Sequence, residues 1–64
     1  MRHILEHNLS PAGQDALRLI RALRRLPETD GTVIAERQVI KELRIADLKI
    51  IALVLADEED AHEN

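Results

Sequence analysis

Residues 43–56, LRIADLKIIALVLA, decide how this chain folds. From Leu48 to Ala56 the stretch is apolar except for Lys49. A surface helix carries one apolar stripe, but this segment is apolar nearly all round and needs cover on more than one side. A chain of 64 residues has little cover to offer, since a domain of that size buries only about 60% of its unfolded surface. Small domains compensate with disulfides, a structural metal or oligomerisation. There is no Cys, which excludes disulfides and thiolate metal sites, so self-association is the expected remedy.

Working outward, the rest of the chain reads as helical. Ser10-Pro11 is a helix start, because Ser caps free amides and Pro is pre-set for the first helical position. Ala12, Ala16, Leu19, Leu23 and Leu26 then recur at spacings of 4, 3, 4 and 3, a seam for a facing helix, widened by Leu17 and Ile20. Gly13 reads as a weak point, up to ~1 kcal/mol worse than Ala. Pro27 ends the helix at Leu26, and PETDG (27–31) is a turn. Thr32 is the expected cap of a second helix over 33–57, in which Val39, Leu43, Ala46, Ile50 and Leu53 repeat the same spacing.

The fold predicted is therefore all-α: one domain, an antiparallel hairpin of helices 11–26 and 33–57 that dimerises into a four-helix bundle. Ile4, Leu5 and Leu9 form a short N-terminal lid, and residues 58–64 form an acidic, frayed tail. At 1.5 Å per residue the second helix, about 37 Å, overhangs the first, about 24 Å. The overhang leaves Ile50, Ile51, Val54 and Leu55 as the oligomer interface. Two alternatives stay open. KIIALVLA is also compatible with a buried strand, and the second helix can break at Ala46-Asp47, with Asp47 capping a third.

Charge is unevenly placed within a net −3. Arg18, Arg21, Arg24 and Arg25 stand on the first helix against Asp15 alone, while 57–64 hold Asp57, Glu58, Glu59, Asp60 and Glu63. The arginines are candidate partner or phosphate contacts; the competing reading is a solvated face paired with the acidic end. No Phe, Tyr or Trp exists to stack on bases. QVIKELRIADLKIIALVL (38–55) resembles a helix-turn-helix, with Leu43-Arg44-Ile45 at the turn and Ile50 and Leu53 at buried positions. Arg44 replaces the turn glycine and Ile40 a small residue, and the segment after Asp47 offers only Lys49 to a base edge.

Catalytic chemistry finds no footing. His3-Ile4-Leu5-Glu6-His7 has the order of an inverted zincin motif, but a catalytic zinc needs a third protein ligand and a walled cleft. A free amino terminus followed by His3 suits square-planar copper or nickel, with no further ligand to support a role. Serine-protease groupings, glycine-rich phosphate loops and EF-hand spacing are absent. No catalytic, cofactor or metal residues are assigned. No charge-free run reaches the ~20 residues of a membrane helix, and MRHILEHNLS does not read as a signal peptide. The expectation is a cytoplasmic, non-enzymatic homodimer that binds another macromolecule: a small regulator of the kind common in bacteria and mobile elements. A protein partner is favoured, with a dimeric DNA-binding regulator as the alternative.

Overall fold

The computed structural model describes residues 5–62 and is helical throughout, with no strand among the described residues. A helical turn at 5–9 leads into α1 (Pro11–Arg24), α2 (Asp30–Lys41) and α3 (Ile45–His62). Lys49 to Leu55 lie inside α3, which removes the strand alternative.

The start of α1 is as its sequence dictates. Ser10 is extended and its Oγ accepts from the Gly13 amide at 3.1 Å, with Pro11 in the first turn. α2 begins three residues earlier than expected. Thr29, and not Thr32, is the cap: its hydroxyl accepts from the Thr32 amide, while the Thr32 hydroxyl accepts from the Thr29 amide. This reciprocal box satisfies two amides at once, so Asp30-Gly31 become the first turn of the helix.

The expected long second helix is two helices. Glu42 to Arg44 interrupt it, and α3 restarts with the Leu48 amide donating to the Arg44 carbonyl. The break falls three residues before the Ala46-Asp47 alternative, with Asp47 in the first turn of α3. An acidic residue is favoured there by the free amides and positive end of a helix. No Gly or Pro marks 42–44, so the stop has no local signature.

The break changes the topology. Ser10 bonds to Asp47 and Arg21 to Glu58, so both ends of α1 meet α3 at a separation of 37 residues. α1 and α3 thus run in the same sense, with α2 as the return, in place of an antiparallel pairing of 11–26 with 33–57. The core comprises Leu9, Ala16, Leu17, Ile20, Ile51, Val54 and Leu55, with Leu5, Val39, Ile40, Leu43 and Ile50 packed around it. The lid reading fits Leu5 and Leu9; Ile4 lies outside the described residues. α2 buries no residue fully.

The overhang does not arise, because α3 returns to α1. Ile51, Val54 and Leu55 are covered by the chain itself. The seams are rotated as well. α1 turns Gly13, Ala16, Leu17 and Ile20 inward, while Leu19 and Leu26 remain 54% and 56% exposed. On α3 the inward row is Asp47, Ile51, Val54 and Leu55, and Leu53 faces out. The molecule is flattened, 32 × 31 × 14 Å along its principal axes, so few positions lie deep inside.

Candidate functional site

Three features concentrate chemistry: a buried acid, the arginines of α1, and the outer face of α3.

The acid is Asp47, buried against the start of α1. Its carboxylate accepts from the Ser10 amide at 3.1 Å and the Ser10 hydroxyl at 2.5 Å. The hydroxyl in turn accepts from the Gly13 amide. Arg44 Nε lies 3.7 Å away. The Ser10 hydroxyl, then its amide, hold the Asp47 carboxyl below the usual carboxylate range, with Arg44 adding to the effect against the cost of burial. Gly13 has its reason here. A Cβ at that position would stand 2.7 Å from the Asp47 Cγ, so the glycine is what lets α3 approach α1. With its oxygens engaged this carboxylate joins two helices and is not placed as a general base.

The arginines are divided by their partners. Arg21 is held between Glu6, at 3.0 Å, and Glu58, and Arg24 between Glu36 at 3.0 Å and Glu59 at 3.1 Å. Both guanidinium groups are stabilised in their charged form, chiefly by Glu58 and Glu36 respectively. Arg18 is 81% exposed beside Asp15, and Arg25 is exposed. The four arginines are thus not one free cationic stripe: the start of the acidic end engages the middle two. Beside them runs an open groove of about 530 Å³ between the N-terminal turn and α1, floored by Leu9 and Leu17. A second, of about 420 Å³, lies at the α1–α2 junction along Leu23, Leu26 and Val33.

The outer face of α3 carries Ile45, Ala46, Lys49, Ala52, Leu53 and Ala56, all exposed. Ile45 is 72% and Leu53 58% exposed. Lys49 is the one charged residue among these six. Of the four positions assigned from sequence to an oligomer interface, Ile51, Val54 and Leu55 lie in the chain's own core and Ile50 is half-buried at the edge of this face. A signal for the split exists in the sequence. Asp47, Ile51, Val54 and Glu58 recur at 4, 3 and 4, a row with acids at both ends that is invisible when acids are assumed to face water.

Among the described residues no group of three or more His, Asp or Glu side chains is placed to hold a metal; His3 lies outside them. No helix is long and apolar enough to cross a membrane among the described residues. No protein-family model, curated protein or solved structure matches this chain.

Proposed function

We propose that this protein is a small non-enzymatic interaction protein, a regulator or adaptor that works as a helical homodimer and binds another macromolecule. One observation carries the reading: an exposed, nearly uncharged face on α3, from Ile45 to Ala56. Contiguous apolar patches on soluble chains mark interaction sites. The face supplies no nucleophile, acid–base pair or cleft. The apolar side chains left elsewhere, Leu19 and Leu26 on α1 and Ile34 on α2, are available to a protein partner once the copies have paired. A dimer built this way has three helices from each chain, and the four-helix bundle survives as the layer made by α1 and α3 of both copies. Sedimentation velocity over a hundredfold range of micromolar concentrations tests the reading. A species of twice the chain mass is expected, and a monomer throughout would overturn it.

A second reading is favoured by one specific feature. α2 and α3 are joined by only three residues, 42–44, the connection length of a helix-turn-helix, with Arg37, Lys41, Arg44 and Lys49 exposed around it. Against it, the outward face of α3 offers bases a single polar side chain, where direct readout uses several. Titration of duplex DNA separates the two. Sub-micromolar affinity at physiological salt, falling steeply as salt rises, would replace the first reading with the second.

A further inference from the structure

We propose that the second copy docks on the outer face of α3 in the antiparallel sense, α3 against α3, about a twofold axis between Ala52 and Leu53. This rests on the homodimer reading and specifies its surface, direction and register.

The face has the form a helix pair requires. Ile45, Lys49, Ala52 and Ala56 follow spacings of 4, 3 and 4, and Ala46, Lys49, Leu53 and Ala56 follow 3, 4 and 3. Together they make one stripe about 18 Å long at 1.5 Å per residue. Alanines make up half of it, and small residues let two helices approach at the short end of the usual 8–10 Å separation.

Direction follows from charge and size. The exposed basic residues, Arg44 and Lys49, lie at the N-terminal end of α3, and the acidic run begins at Asp57 near the other. A parallel pairing would set Lys49 on Lys49, Leu53 on Leu53 and acid run on acid run. The antiparallel register sets Leu53 against Ala52 of the other copy and Lys49 against its Ala56, one residue from Asp57. Large side chains meet small ones, and each lysine comes beside an acid. The opposed helix dipoles agree in sign with this arrangement. A second copy is thus the occupant whose shape and charge complement this face by construction, since an isologous surface must match itself.

The chain has no native cysteine, so single cysteines report the geometry directly. Ala52→Cys is expected to form a disulfide-linked dimer under mild oxidation. Ile45→Cys is expected not to, because its two copies would lie about 22 Å apart along the axis. Both positions are exposed, and an unchanged helical spectrum verifies folding. Lys49→Glu is expected to weaken the dimer about tenfold or more by placing like charges together, while Lys49→Arg keeps it. Crosslinking at both cysteine positions would mean a parallel pair and overturn the proposal. Crosslinking at neither, in a chain that still sediments as a dimer, would place the interface elsewhere and overturn the proposal while leaving the homodimer reading. A monomer in sedimentation would remove both.

Discussion

The two faces of α3 are nearly equal in hydropathy and opposite in fate. The inner face, Asp47, Ile51, Val54 and Leu55 with Glu58 at its end, is closed by α1 and the N-terminal turn. The outer face, Ile45, Lys49, Ala52, Leu53 and Ala56, stands in solvent. What separates them is where the acids sit. Asp47 and Glu58 lie on the inner side, each answered by a residue of α1, Ser10 and Arg21. In this helix polar residues with partners mark the inside, the reverse of ordinary amphipathic reasoning. Their bonds fix which apolar face turns inward, a choice that hydrophobicity alone leaves open.

The largest effects should come from the inner face. Ile51→Ala opens a cavity beside Ile20 and Val54, all essentially inaccessible, and is expected to cost about 2–5 kcal/mol in a urea titration. In a domain this small such a loss removes much of the net stability. Ala52→Ser, next in sequence but outward, is expected to leave the urea midpoint of the folded chain within about 0.5 kcal/mol of its original value.

Gly13→Ala sharpens the comparison from the side of α1. Helix propensity alone makes the change favourable. The new methyl meets the Asp47 carboxylate at 2.7 Å, so the expected sign is the opposite: a loss of about 1–3 kcal/mol, typical of overpacking. A gain in stability would show that Asp47 yields easily and does not fix the packing of α3.

The same carboxylate predicts a pH dependence. Its folded pKa lies below the ordinary value, so the unfolded chain takes up the proton first as pH falls. Asp47 therefore contributes its full stabilisation above the ordinary carboxylate range, near pH 4. That contribution declines below it until the folded group also protonates. Asp47→Asn should lower stability at neutral pH and flatten this acid limb, measured as melting temperature against pH. An unchanged limb would mean that other carboxylates carry it.

The smallest effects are expected at the arginines. Arg24→Ala breaks pairs to Glu36 and Glu59 at a largely exposed site and should cost less than about 1 kcal/mol, with dimer affinity unchanged because α1 lies behind the outer face of α3.

How much of this was legible in the sequence depends on how local each signal is. Ser10-Pro11 starts α1 through contacts within three residues, and the sequence states it outright. The all-helical class follows from matched spacings. The break at 42–44 was not legible, because it carries no Gly or Pro and is set by Asp47 reaching Ser10, 37 residues away. Gly13 was misread for the same reason: its value is a distance to α3 that no local rule contains. The seams through Leu19 and Leu53 were real apolar rows, rotated away from the core once Asp47 was buried. On the candidate site, residues 43–56 were the right stretch for a surface in need of cover. Choosing Ile51, Val54 and Leu55 as the open side depended on a continuous helix that the chain does not form.

Leu53 and Val54 are neighbours in sequence, one 58% exposed and the other fully buried, and they give the most direct test. Each is changed to Asp, and both variants are followed by far-ultraviolet circular dichroism and sedimentation velocity at the same concentrations. Val54→Asp buries an unpaired charge and should leave the chain unfolded. Leu53→Asp should leave it helical and convert the dimer to a monomer. A Leu53→Asp protein that remains dimeric, or that unfolds alongside Val54→Asp, would contradict the division of α3 into a face for its own core and a face for a second copy.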